Sequence, residues 1–287
     1  PPSSDRATSM PPIQTRFVID ILSGTSAGGL NAIFLSKALA NEQDLGALKS
    51  LWLQQADMEL LVNDKASTVG TTLKEQRPPQ SLLNSQRMYW QLLHAFDSMD
   101  ARATAAPLSA LVDELDCWIT TTDIRGLLLP IDTFDRFVFE RRHRKAFHLV
   151  YRAQAGAVDR NDFLRATNPF LAFAGRATSA FPFAFEPMQL ADIDAVVTAE
   201  RFRDEYGSLN SKAPQWQTFF DEYLKSGDGQ SLADAAADPD RLDAYRTSSF
   251  GDGGYLDNKP FTWATANLSR RRQTVPVDRR LLYVEPD

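Results

Sequence analysis

Along the chain the apolar run Phe17-Val18-Ile19-Asp20-Ile21-Leu22 gives way to small residues at Ser23-Gly24-Thr25-Ser26-Ala27-Gly28-Gly29. After these, Leu30, Ile33, Phe34 and Ala38 recur at three- and four-residue intervals. The first part has the β-branched content of a buried strand, and the last has the periodicity of a helix with an apolar face. A strand, a sharp turn and a helix are therefore predicted over about 16–40. Glycine and alanine let backbone approach backbone at such a turn, leaving the Ser26 hydroxyl exposed at the helix N-terminus. An oxyanion formed there would meet the positive end of the helix dipole.

Residues 43–62, with Leu45, Leu48, Leu51, Trp52, Met58 and Leu61, predict a helix, followed by a polar connection over 63–80. Helices are expected at 81–97 and 107–115. The period then changes: Trp118-Ile119-Thr120-Thr121, Phe137-Val138-Phe139 and Phe147-His148-Leu149-Val150-Tyr151 read as strands, with Gly126 and Pro130 in turns. A helix is expected within 161–180. Residues 199–247 are charged and dotted with aromatics, and read as a helical insertion broken near Gly207, Pro214, Gly227-Asp228-Gly229 and Pro239. Trp216, Phe219, Phe220 and Tyr223 have the spacing of a packing face, the other reading being the wall of an acyl-chain groove. A helix near 260–268 and a strand at 280–285 close the order. Strand-helix alternation around the turn and at the end implies an α/β layered fold, a central sheet flanked by helices.

A chain of 287 residues with 43% apolar content can bury a full core as one large or two small domains. No run reaches the about 18 apolar residues of a membrane span, no signal-peptide pattern opens the chain, and no internal repeat is visible. A net charge of −6 argues against a nucleic-acid partner and against strong attraction to anionic lipid. The basic runs Arg141-Arg142-His143-Arg144-Lys145 and Ser269-Arg270-Arg271-Arg272 read as a solvated hairpin tip or loop, with phosphate headgroups as the alternative partner. The single cysteine, Cys117, excludes an internal disulfide and sits in an apolar run that suits the core. Paired cysteines and histidines at ligand spacing are absent, so no metal site and no cofactor are expected.

An activated serine needs a base, usually histidine. The three histidines, His94, His143 and His148, all lie mid-chain, whereas a Ser-Asp-His order would put one near the C-terminus. His94 falls in a helix-like aromatic stretch, His143 among cations that depress its basicity, and His148 between Phe147 and Leu149 on a strand. A Ser-His-Asp esterase would require the fold to bring one of them to Ser26. The remaining candidate is a carboxylate: in Ser249-Phe250-Gly251-Asp252-Gly253-Gly254-Tyr255, glycines around Asp252 free the backbone to approach another loop. An ordinary Asp-Gly turn is the plainer reading of the same residues.

Taken together, Gly24-Thr25-Ser26-Ala27-Gly28 and Asp252-Gly253-Gly254 resemble the signature of the patatin-like phospholipases, lipid acyl hydrolases that use a Ser-Asp dyad without histidine. Ala174-Gly175-Arg176-Ala177-Thr178-Ser179-Ala180-Phe181-Pro182-Phe183-Ala184-Phe185-Glu186-Pro187 is similar to the alanine-serine-rich stretch between those motifs. Trp118-Ile119-Thr120-Thr121-Thr122-Asp123-Ile124 is similar to the family's strand ending in a threonine-aspartate pair. The resemblance implies a patatin-like fold over 13–287, with helical insertions at about 43–115 and 199–247, while the polar, proline-bearing residues 1–12 read as a linker or disordered segment. It implies Ser26 as nucleophile and Asp252 as proton acceptor, with Gly24, Thr25, Ala27, Gly28, Gly253 and Gly254 as motif positions. A carboxylate of pKa ~4 is a weak base at neutral pH, so the dyad requires Asp252 held close to Ser26 in a partly desolvated pocket.

The chain departs from the family in one respect. Patatin-like enzymes carry a glycine-rich oxyanion loop upstream of the elbow, and the polar, glycine-free residues 1–16 do not match it. The expectation is a piece of a longer protein in which loss of an oxyanion donor costs about 100- to 1000-fold in turnover. The expected function is hydrolysis of a lipid ester through an acyl-enzyme, with peripheral membrane contact and a cytoplasmic or peripheral-membrane location. The alternative is a non-catalytic domain that binds lipid or a protein partner. The sequence does not determine the oligomeric state.

Overall fold

The structure, a computed structural model, describes residues 15–50, 58–75, 77–101, 109, 111–132, 137–154, 156–198, 200–207, 216–220, 245–271 and 276–285. Its centre is a mixed sheet. Strand β2 (Glu114–Asp132) pairs antiparallel along its length with β3 (Phe137–Gln154), which pairs in turn with β4 (Ala157–Asn161). The other edge of β2 is shared between two short strands. Strand β1 (Ile21–Gly24) runs parallel to Asp116–Ile119, and β6 (Ser249–Asp252) runs antiparallel to Thr121–Asp123, with β5 (Met188–Gln189) outside it. Between the two lies Thr120, where β1 ends and β6 arrives at its last residue.

Helices cover the sheet. The helix α1 (Ser26–Asn41) leaves the end of β1 and stops at Glu42, whose left-handed φ of 53° turns the chain. Then come the short α2 (Gly46–Ser50) and α3 (Met58–Leu61), and the long α4 (Ser85–Ala101). Helix α5 (Asn168–Thr178) is buried at every residue, which its composition permits: Phe170, Leu171 and Phe173 meet the core while Ala172, Ala174, Gly175 and Ala177 admit close neighbours. Short helices α6 (Asp194–Val197) and α7 (Glu200–Tyr206) follow, and α8 (Phe261–Leu268) lies against β1 and β2. The core joins α1, α4, α5 and the inner face of β2 and β3 through Ile33, Phe34, Phe96, Leu115, Ile119, Phe147 and Phe250.

Buried polar groups pin the helices together. Lys37 Nζ, wholly buried on α1, reaches Asp100 Oδ1 of α4 at 2.9 Å and the Phe163 carbonyl at 2.8 Å. Asn168 of α5 donates to Asp100 Oδ2 at 2.7 Å, and Tyr206 of α7 donates to Asp97. A second knot lies on the other face of the sheet. Asp116 of β2 accepts from His148 at 2.6 Å and from Arg152 at 2.8 and 2.9 Å, and pairs with Arg271 at 2.6 Å.

Several sequence expectations are corrected. Phe17, Val18 and Ile19 are exposed rather than buried in a strand, because only Ile21–Gly24 pair with β2. The 107–115 helix is not formed in its described part: Glu114 and Leu115 already pair with Arg152 and Tyr151. Gly126 and Pro130 lie inside β2 rather than in turns. Gly126, at φ 71°, sits in the register shift between Thr122 and Leu127, and Pro130 lies where β3 is the one described neighbour, so a missing N–H is tolerated. The run Arg141–Lys145 is strand, not a hairpin tip, and Arg144 binds Asp257. Residues 280–285 form no strand with any described residue, and Leu282 and Val284 are exposed. Residues 1–12 and most of 199–247, including Tyr223, lie outside the described residues; Trp216, Phe219 and Phe220 are buried against Phe170, as a packing face requires.

Candidate active site

The split edge of β2 builds the site. Because β1 ends at Gly24 beside Ile119 and β6 ends at Asp252 beside Thr121, the residues following each strand meet over Thr120. Thr25 is the extended N-cap of α1, and Ser26 follows at φ 52°, a left-handed conformation that a residue with a side chain adopts only when its surroundings impose it. The packing imposes it here. A Cβ on Gly24 would stand 2.5 Å from the Gly28 carbonyl oxygen, and one on Gly253 would stand 2.3 Å from the Thr120 carbonyl oxygen.

Ser26 Oγ donates to Asp252 Oδ2 at 2.8 Å. The other carboxylate oxygen, Oδ1, accepts the Gly254 N–H at 2.7 Å, so the turn after β6 fixes the carboxylate plane. The backbone is held as well: Thr122 Oγ1 donates to the Asp252 carbonyl at 2.9 Å, and the Asp252 N–H reaches the Ala180 carbonyl at 3.3 Å. Asp252 is almost wholly buried, and desolvation pushes its carboxyl above the usual range. Hydrogen bonds from Gly254 and Ser26 and the charge of Arg176 oppose that rise without cancelling it.

One group that sequence reasoning did not single out completes the arrangement. Thr178, the last residue of α5 and fully buried, accepts the Ser26 N–H on Oγ1 at 2.9 Å and donates the same hydroxyl to the Thr120 carbonyl at 2.7 Å. Its side chain also fills the space beside Gly29. Both threonines lie in the stretches that resemble the family, but only the fold assigns them partners. The signal in the sequence was a run of three threonines in an otherwise apolar strand.

The remaining candidates are distributed as follows. Thr25 packs against Gly253, and Gly254 supplies the N–H to Asp252. Ala27 and Gly28 lie in the first turn of α1, where backbone N–H groups have no intrahelical partner. Gly28 faces open space, with nothing within 4 Å of an added Cβ. The histidines bond elsewhere: His148 to Asp116, His143 to the Asp123 carbonyl at 2.8 Å, and His94 beside Ser98. Cys117 is buried in the core and its thiol is pushed up to about 12 by burial. Among the described residues no cluster of His, Cys, Asp or Glu is placed to hold a metal ion, and no helix is long and apolar enough to cross a membrane.

Comparison with known proteins matches residues 12–265 to the family described as patatin-like phospholipase. The chain is similar to the uncharacterized membrane protein Rv3479 of Mycobacterium tuberculosis, with 28% identity over 278 residues. That alignment covers 93% of this chain and 21% of the relative, so the chain spans about a fifth of the relative's length. No solved structure gives a significant match.

Proposed function

This chain belongs to the patatin-like phospholipase family, and from that premise we propose that it hydrolyses carboxylic esters of lipids through a Ser26-Asp252 dyad. Membership supports lipid acyl hydrolysis at the level of class. The observation that carries the finer reading is the 2.8 Å hydrogen bond from Ser26 Oγ to a desolvated Asp252 carboxylate.

In this reading Asp252 takes the Ser26 proton as Oγ attacks the ester carbonyl carbon. The tetrahedral intermediate collapses with loss of the alcohol, which leaves with the proton returned by Asp252. Water then enters: Asp252 takes its proton, the hydroxide attacks the acyl-enzyme, the fatty acid departs and Ser26 recovers its hydrogen. The upward shift of Asp252 serves the exchange, because a carboxylate nearer neutrality is the better base. Ser26's own N–H is committed to Thr178, so the first-turn amides of Ala27 and Gly28 are the donors assigned to the oxyanion.

We assign residues 13–287 to one catalytic domain with peripheral membrane contact. Exposed Leu82, Phe181 and Phe183 support that contact: Phe181 adjoins Ala180, which bonds Asp252, and the Leu82 N–H binds the Phe183 carbonyl. The test is fatty-acid release from phospholipid vesicles by the chain and by its Ser26→Ala variant. Release by the first alone is expected, and equal release by both would overturn the proposal.

A further inference from the structure

A cavity of about 560 Å³ opens beside the start of β6, between the N-terminal turn of α4, α6 and the segment Glu186–Gln189. Its wall is half apolar, from Tyr89, Ile124 and Met188, and half hydrogen-bonding. The charged side chains lining it are Glu186 and Asp192, both acidic. We propose that this cavity is a headgroup subsite that takes the ammonium group of a zwitterionic lipid ester while the ester bond lies at Ser26. The proposal rests on the lipid acyl hydrolase reading and adds to it a substrate class.

Position comes first. Ser249, on the cavity wall, and Asp252, at the dyad, are the two ends of β6, three residues and roughly 10 Å apart along the strand. That is a span a glycerophospholipid bridges between an ester and the end of its headgroup. The surface between them is built to be crossed. Gly251 has no side chain, and the place its Cβ would take lies 3.0 Å from Ile124 Cδ1 and 3.3 Å from the Tyr255 ring. Ile124 and Tyr255 are 45% and 50% exposed, so an apolar surface flanks Gly251 between the cavity wall and the residue that carries the carboxylate.

Charge selects the occupant. Arg176, buried behind the wall in α5, does not neutralise the cavity by direct bonding: its Nη2 goes to Ser85 Oγ and to the Glu186 main-chain oxygen at 3.1 Å. Its guanidinium stacks on Phe185 at 4.1 Å, and its Nε and Nη1 have no hydrogen-bond partner among the described residues. Its charge lies within electrostatic reach of the Glu186, Asp192 and Asp252 carboxylates. Partial desolvation, with the nearby Glu186 charge, holds the Asp192 carboxyl above its ordinary value. A cation entering the cavity relieves that repulsion, whereas an anionic group adds to it. The glutamine and serine side chains on the wall can meet phosphate and ester oxygens.

The test is binding, with no turnover, of two soluble short-chain lipids to the Ser26→Ala chain by titration calorimetry. Dihexanoyl phosphatidylcholine carries the ammonium; dihexanoyl phosphatidylglycerol has the same phosphate and acyl chains with a diol in its place. At low salt the first is expected to bind at least about tenfold more tightly, a margin of about 1.4 kcal/mol. Adding Glu186→Gln and Asp192→Asn, which keep the acceptor oxygens used by Ser81 and the Gln189 N–H, is expected to bring the two lipids within about twofold of each other. Equal binding of both lipids, binding of neither, or a preference that survives in the folded double substitution overturns the subsite. Turnover by the unsubstituted chain is scored separately. Preference without turnover would leave the subsite standing and overturn the catalytic reading, and turnover without preference would do the reverse.

Discussion

Ser26 Oγ and Asp252 Oδ2 lie 2.8 Å apart although the residues are 226 positions apart in sequence. They meet because β1 and β6 share one edge of β2 and stop on either side of Thr120. The Ser26-Asp252 contact, the proposed dyad, is thus a property of where two short strands end. The next consequences concern the groups that fix those ends.

Thr178 is the joint between Ser26, the proposed nucleophile, and the sheet, through its bonds to the Ser26 N–H and the Thr120 carbonyl. Thr178→Val keeps the shape and deletes both bonds, and should lower ester turnover by about 10- to 100-fold, the equivalent of roughly 1–3 kcal/mol for buried groups left unpaired. Thr178→Ser should recover most of the loss. Steady-state kinetics of the two variants beside the parent decides, and equal kcat in the valine variant would refute the role.

The glycines of the elbow are not equivalent. Gly24→Ala drives a Cβ to 2.5 Å from backbone and should cost about 3 kcal/mol or more, measured as a fall in urea midpoint. Gly28→Ala enters open space within a helix and should be neutral or stabilising by up to about 1 kcal/mol. Comparable destabilisation by both would mean that the turn is packed differently.

The raised carboxyl of Asp252 sets a pH dependence. As the proposed base, Asp252 must be ionised, so kcat/KM should fall as pH drops through a midpoint above the ordinary aspartate value of ~3.9. Stability has the opposite sign. Because the folded pKa lies above the unfolded one, ionised Asp252 costs stability; the cost is absent below ~3.9 and complete above the folded midpoint. Asp252→Asn should therefore abolish turnover yet melt no lower than the parent at pH 7, an outcome differential scanning calorimetry checks directly.

Asp116 behaves conversely. Burial would raise its carboxyl, but hydrogen bonds from His148 and Arg152 and the charges of Arg152 and Arg271 outweigh it and leave the group below its usual value. Its contribution is present above ~3.9 and is lost as pH falls through the depressed folded value. Asp116→Asn should lower the urea midpoint clearly at pH 7, consistent with about 3–5 kcal/mol for breaking a buried pair, and far less at the acid end of the folded range. A pH-independent difference would contradict the ionic account.

The elbow was readable in advance from local chemistry: small residues at the turn, of which Gly24 and Gly29 prove to be the crowded ones, apolar residues before, helical spacing after. The glycines around Asp252 alone read as an ordinary turn, and the close approach followed only from their pairing with the elbow in the family resemblance; Gly253 does admit that approach. What could not be read were features set by distant neighbours. Phe17, Val18 and Ile19 have strand composition yet lie exposed, since pairing with β2 begins only at Ile21. Leu281 and Leu282 have it too and pair with no strand among the described residues. Pro130 and Gly126, read as turn formers, are carried within β2 because β3 pairs alongside both arms of that strand and the bulge absorbs the glycine. Thr178 and Thr120 were visible as residues and invisible as partners, because their bond joins positions 58 apart.

The most direct test of the central claim is fluorophosphonate labelling of the 287-residue chain beside Ser26→Ala and Asp252→Asn, read by intact mass. The dyad predicts one adduct on the parent, none on Ser26→Ala and a strongly slowed reaction for Asp252→Asn. A folded parent that takes no label, or a Ser26→Ala chain labelled as fast as the parent, would contradict it.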